Sequence, residues 1–165
     1  MALVRKANLA DGSVAIPRDL YTVGILEVVN GKSKRGMPML ALSLQILSPA
    51  TVSNEGKIVK TAGRKFKTYI TVSTETNGWV KEIEQLVGDV LPDDIDTDVL
   101  FPALVDELTG KVLVNVELDS DPFFEADANY KPILTNGQKT IKGYGIKRVA
   151  KVWPQALGKE AAGLA

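Results

Sequence analysis

Met39-Leu40-Ala41-Leu42-Ser43-Leu44-Gln45-Ile46-Leu47 is the stretch on which the fold turns. Leu40, Leu42, Leu44 and Ile46 alternate strictly with Met39, Ala41, Ser43 and Gln45, a period of two that a strand converts into one apolar and one more polar face. One face meets a core and the other meets something polar. Just before it, NGKSKRGMP (residues 30–38) supplies Asn-Gly, a second Gly and a Pro, which is turn chemistry. Earlier still, DLYTVGILEVV (residues 19–29) is rich in Val, Ile, Leu and Tyr, with Gly24 where a barrel strand would bend or carry a bulge. The three pieces read as a hairpin.

Downstream, residues 48–64 read as a loop, and KFKTYITVST (65–74) as a third strand. In that strand Ile70 and Val72 share one face, and Lys65, Lys67, Tyr69 and Thr71 share the other. In WVKEIEQLVGDVL (79–91), Trp79, Val80, Ile83, Leu86, Val87 and Val90 recur at three- and four-residue spacings, which predicts an amphipathic helix. Residues 92–110 suggest a second short helix, broken or begun at Pro102. GKVLVNVELD (110–119) alternates again, with Val112, Val114, Val116 and Leu118 inward, and predicts the fourth strand. A long connection (120–142) then leads to a fifth strand in GYGIKRVAKVW (143–153).

Three strands, a helix and two more strands predict a mainly β fold with one or two helices. The expected architecture is a five-stranded, partly open OB-fold barrel with a helix between strands 3 and 4. An immunoglobulin-type sandwich would want about seven short strands and no central helix. The expected organisation is an arm over residues 1–18, the barrel over 19–153 and a tail over 154–165.

At 165 residues and 45% apolar, the chain suits one domain with one core. It has no cysteine and no histidine, so disulfides, thiol catalysis, the commonest general base and the commonest zinc ligand are all missing. A non-enzyme without cofactor, metal or catalytic residues is expected. The acids Asp93, Asp94, Asp96 and Asp98 lack the glycine and distant glutamate of a calcium loop and read as a solvated helix start. No membrane-length apolar run and no signal-peptide core in MALVRKANLADG lead to the expectation of a cytoplasmic protein.

The formal net charge is zero, but charge is segregated along the chain. Between residues 30 and 69, Lys32, Lys34, Arg35, Lys57, Lys60, Arg64, Lys65 and Lys67 face the single acid Glu55. From Lys131 to Lys151 there are six basic residues and no acid. Ten acids between Glu75 and Glu107 face only Lys81. This predicts a polarised surface with two basic regions.

The series YTVGILEVVNGKSKRGMPMLALSLQIL, followed by the strand KTYITVST and the helix WVKEIEQLVG, resembles the small single-stranded DNA-binding proteins of bacteriophages. The resemblance spans about residues 19–151 and implies an OB fold, cooperative coating of replication or recombination intermediates, and no catalysis. Host-cell cytoplasm would be the setting, single-stranded DNA the partner, and replication or recombination proteins and a second copy of the chain the further candidates. The segment GKEAAGLA departs from the acidic tail of many such proteins, so the resemblance does not extend to tail-mediated recruitment.

Non-specific capture of single strands needs a positive groove and flat side chains on which bases stack. The expected contacts are Lys32, Lys34 and Arg35 in the first turn, Arg64, Lys65, Lys67 and Tyr69 around the third strand, and Phe123, Phe124, Tyr130 and Lys131 in the long connection. Lys147 in the fifth strand is the last, and Lys139, Lys142 and Arg148 would extend the basic surface. Tyr69 has a second reading beneath the acidic helix, and the three connection aromatics one as a small core of their own. Trp79 reads as core, and Trp153 as either a cap on the barrel or a stacking residue. A virion or tail structural protein and a protein-binding OB module are the alternative functions.

Overall fold

The computed structural model describes residues 14–150 and 152–164, and the strict alternation of residues 39–47 forms an interior strand of its main sheet. In chain order the elements are β1 (Asp19–Lys32), β2 (Pro38–Ser48), β3 (Thr51–Asn54), β4 (Lys57–Lys60), β5 (Lys65–Thr71), α1 (Gly78–Val87), α2 (Thr97–Leu108), β6 (Val112–Phe124), β7 (Leu134–Thr135), β8 (Gln138–Lys139) and β9 (Ile141–Arg148). Five of them form one antiparallel sheet in the order β5-β2-β1-β6-β9. The protein is therefore mainly β, with both helices between the third and fourth strands of this sheet. No helix among the described residues is long and apolar enough to cross a membrane.

Leu40, Leu42, Leu44 and Ile46 are fully buried, as the alternation predicts. They share the inner face with Tyr21, Val23, Ile25 and Val28 of β1, Ile70 of β5 and Leu113, Val116 and Leu118 of β6. Helix α1 adds Ile83 and Leu86 to this core, and α2 adds Phe101, Leu104 and Leu108. Each such aliphatic or aromatic side chain contributes about 1.5–3 kcal/mol by leaving water.

Several expectations are corrected. The alternation in β6 does not run through: Asn115 has φ +61, and between the pairs Tyr21–Val116 and Val23–Leu113 only Thr22 faces Val114 and Asn115. This bulge shifts the parity, so Leu113 is fully buried and Val114 only half-buried, while Val112 is buried as expected. Helix α1 ends at Val87 with Gly88 left-handed, which leaves Val90 80% exposed instead of on the apolar stripe. Helix α2 is neither broken nor begun at Pro102; it starts at Thr97, capped by Asp96, whose side chain accepts from the Asp98 backbone N–H at 3.0 Å, and runs through the proline.

The loop expected at 48–64 contains the β3–β4 hairpin, closed by Glu55 and Gly56, both at positive φ. The connection expected at 120–142 is mostly ladder as well. There β6 and β9 continue past the core as a two-stranded arm, Phe124 opposite Ile141, and the β7–β8 hairpin turns at Asn136-Gly137, again with φ positive at both. These paired positive angles are the two-residue turns that match strand twist, and glycine takes the second position without steric cost.

Residues 1–13 of the expected arm lie outside the described residues, as does Lys151. Within residues 14–18, Val14 and Arg18 are exposed and one residue reaches the core. Ile16 is buried in the core, and the Ser120 hydroxyl both accepts from its N–H at 2.6 Å and donates to its carbonyl at 2.7 Å. The tail also packs: Leu157 exchanges backbone hydrogen bonds with Val112, and the Ala156 N–H donates to the Leu86 carbonyl.

Candidate nucleic-acid interface

Strand parity decides what β5 offers to solvent. Phe66 and Ile70 turn inward, so Lys65, Lys67, Tyr69 and Thr71 line the outer face, all exposed. Tyr69 is 53% exposed, which removes its reading beneath the acidic helix. The register fixes its neighbours. Val29, Ala41 and Tyr69 form one row across β1, β2 and β5; Glu27, Ser43 and Lys67 form the next; Gln45 stands beside Lys65, and Gly31, Met39 and Thr71 complete the face. Directly paired side chains lie about 5 Å apart at Cβ. The small Ala41 and Ser43 therefore form the floor of a shallow trough, with Tyr69 and the 47%-exposed Val29 standing on its two sides.

The turn after β1 lies beyond the Gly31–Met39–Thr71 row. Ser33 organises it: its N–H donates to the Met37 carbonyl at 2.8 Å, its carbonyl accepts from the Gly36 N–H at 2.9 Å, and its hydroxyl accepts from the Met37 N–H at 3.2 Å. Lys32, Lys34 and Arg35 are left exposed at that end of the sheet.

The β6–β9 arm projects from the opposite end, past the start of β1, since Asp19 pairs with Leu118. Every residue from 121 to 139 is exposed, including Phe123, Phe124, Tyr130 and Lys131, so the connection builds no core of its own. Lys139 Nζ stands 5.3 Å from the centre of the Phe124 ring. Tyr130 is 92% exposed in a turn organised by Asp127, whose carboxylate accepts from the Asn129 and Lys131 N–H groups at 2.8 and 3.0 Å.

Arg64, expected beside Lys65 in the site, is buried at 8% exposure, and its Nη1 donates to the Val14 carbonyl at 2.9 Å. It anchors the chain before β1 and presents no cation to an outside ligand. Arg148 turns inward too. It makes a 2.7 Å ion pair with Glu82 of α1 and its guanidinium lies 3.9 Å from the centre of the Trp153 ring. Trp153 is 3% exposed, with its backbone N–H on Gln85 Oε1 at 2.9 Å, so it caps the inner side and offers no ring to a base. Lys147 is outside, sharing a face with Gly145 and Gly143, but pairs directly across from Asp119. Trp79 is half-buried against the core and donates from Nε1 to the Ser73 carbonyl at 3.1 Å.

Sequence reasoning did not find the Arg148–Glu82–Trp153 cluster, because nothing along the chain signals an ion pair 66 residues apart. Residue order places Tyr21 in the first strand without marking its burial or its hydrogen bond. It is buried and its hydroxyl donates to the Pro17 carbonyl at 2.6 Å. Burial, with Asp19 and Asp119 adding negative potential, pushes that hydroxyl up to about 12. Most of the acids between Glu75 and Glu107 are exposed on the helices and their linkers. No protein-family model matches the chain, and no match emerges from a search of curated proteins.

Proposed function

We propose that this chain binds single-stranded DNA without sequence preference, through a partly open five-stranded barrel of the OB type, and performs no chemistry on it. The observation that carries the proposal is the outer face of β5, where Lys65, Lys67 and Tyr69 alternate, exposed, beside a trough floored by Ala41 and Ser43. Lysines there neutralise phosphates and release counterions, while a base stacks on Tyr69 for about 1–3 kcal/mol. Duplex DNA hides its base faces in its own stack, so the same surface favours single strands. Lys32, Lys34 and Arg35 extend the positive track at one end, and Phe123, Phe124 and Tyr130 on the arm supply further rings at the other. Phage-type replication or recombination in a host cytoplasm is the setting implied by the sequence resemblance.

Support for the barrel comes from the strand order. The third and fifth sheet strands in chain order, β5 and β9, are the two edges, their Cα atoms approach within 8 Å, and no ladder joins them among the described residues. That is the arrangement of a sheet curled nearly onto itself, with the helices inserted where an OB barrel takes its plug.

A second reading, a structural protein that assembles with others, is favoured by the unbroken exposure of residues 121–139, which include Phe123, Phe124, Ile133 and Leu134. Fluorescence anisotropy of a labelled oligo-dT, at low and moderate salt beside a duplex of equal length, separates the two. Salt-sensitive preference for the single strand is expected. Absence of binding at low salt, with concentration-dependent self-association instead, would establish the assembly reading.

A further inference from the structure

We infer that the β3–β4 hairpin is a second contact point for the nucleic acid, so that a bound strand runs lengthwise along β5 from the Lys34–Arg35 turn to Lys60. This rests on the single-strand-binding reading above and extends it to residues that reading does not use. The hairpin is rooted where β2 ends and β5 begins. The Thr61 N–H donates to the Ala50 carbonyl at 3.0 Å, the Gly63 N–H to the Ile46 carbonyl at 2.8 Å, and the Ile46 N–H to the Arg64 carbonyl at 2.9 Å. The buried Thr61 hydroxyl donates to the Pro49 carbonyl. Val52 and Val59, paired across the hairpin, pack against the core. The hairpin is therefore held in one orientation.

The same pairing turns Thr51 with Lys60, and Ser53 with Ile58, to the opposite face, where all four are exposed. Ile58 is 81% exposed with no share in the core, and two hydroxyls and an ammonium surround it. An apolar side chain among phosphate-binding groups suits the mixed surface of a single strand, whose base faces are apolar and whose backbone is anionic. Gln45, which stands beside Lys65 on the outer face, donates from Nε2 to the Gly63 carbonyl at 3.4 Å, so the root of the hairpin adjoins the Lys65 end of β5. Lys34, Arg35, Lys67, Lys65 and Lys60 then follow one another from one end of β5 to the other, with Glu55 at the hairpin tip and Glu27, across Ser43 from Lys67, as acids beside them. β5 alone spans about 20 Å, so the hairpin and the first turn lengthen the site well beyond the sheet.

The test is the length dependence of binding. Wild-type protein and the double variant Ile58→Ser, Lys60→Ala are titrated against oligo-dT of roughly 4 and roughly 12 nucleotides, within the range one OB fold covers. Both positions are exposed, so thermal melting should coincide for the two proteins. The expected result is an unchanged affinity for the short oligonucleotide, about a tenfold loss for the long one, and a salt slope smaller by about 0.7 for the long one only. Equal affinities at the long length, or equal losses at both lengths, would overturn the extension. Wild-type protein that binds neither oligonucleotide would instead overturn the single-strand reading and the extension with it.

Discussion

The two basic regions look alike along the chain and are used in opposite ways. In the first, Lys32, Lys34, Arg35, Lys57, Lys60, Lys65 and Lys67 all reach solvent and only Arg64 is buried. In the second, Arg148 is consumed by Glu82 and Trp153, Lys147 faces Asp119, and Lys131, Lys139 and Lys142 sit on the arm beyond the core. Each region contains a pair of adjacent cations that the strand divides. Arg64 goes in and Lys65 out; Lys147 goes out and Arg148 in. Charge density along a sequence measures how many cations are near one another, whereas parity within a strand decides which of them a ligand can meet.

Breaking the inward members should cost folding, and breaking the outward members should cost binding. The largest effect is expected from Arg148→Ala, which strips Glu82 of its partner and Trp153 of its stacked cation. The loss is about 3 kcal/mol of stability, read from the midpoint of urea unfolding, with oligo-dT affinity of the folded protein within about twofold of wild type. An unchanged midpoint would remove the cluster from the framework.

Tyrosines sharpen the same contrast, since Tyr21 is inside and Tyr69 outside. The Tyr21 hydroxyl is raised from 10.0 to about 12, above its unfolded value. Its contribution is complete below pH 10 and is lost as pH rises toward 12, because the unfolded chain gives up that proton first. The expected loss is about 2 kcal/mol across that window, measured as unfolding free energy against pH. Tyr21→Phe should flatten the curve while lowering stability at neutral pH by about 1 kcal/mol through the lost bond to Pro17. A wild-type curve as flat as the variant's would refute it.

The smallest effects concern salt. Lys65→Ala with Lys67→Ala should reduce the slope of log affinity against log salt by about 1.4, whereas Lys147→Ala, opposite Asp119, should reduce it by less than about 0.7. Equal slopes per lysine in the two regions would erase the distinction between them.

Much of the sheet is legible from residue order because β2 is buried on one face only, and burial of one face is what a period of two records. Lys65, Lys67 and Tyr69 are readable for the same reason, since Ile70 between Tyr69 and Thr71 sets their parity. The reasoning fails where one residue shifts the count. Asn115 at positive φ moves Leu113 inward, and no spacing rule marks an asparagine as a bulge before its partner strand is known. The Asn136-Gly137 turn was available as a dipeptide signal, and Glu55-Gly56 less so, since glutamate is an uncommon first residue for such a turn. The inward turn of Arg64 and Arg148 leaves no such mark, since Val14 and Glu82, which hold them, lie 50 and 66 residues away.

The Ser120 hydroxyl that brackets the Ile16 backbone has a consequence for how the protein is made. It joins groups 104 residues apart, and the same core also needs Trp153, a further 33 residues beyond Ser120. During synthesis the first hairpin can form early, but its apolar face stays uncovered until the helices and β6 have been made, and the core is complete only once Trp153 follows. Such a dependence on distant pairings slows folding and lengthens the interval in which Leu40, Leu42, Leu44 and Ile46 are open to aggregation.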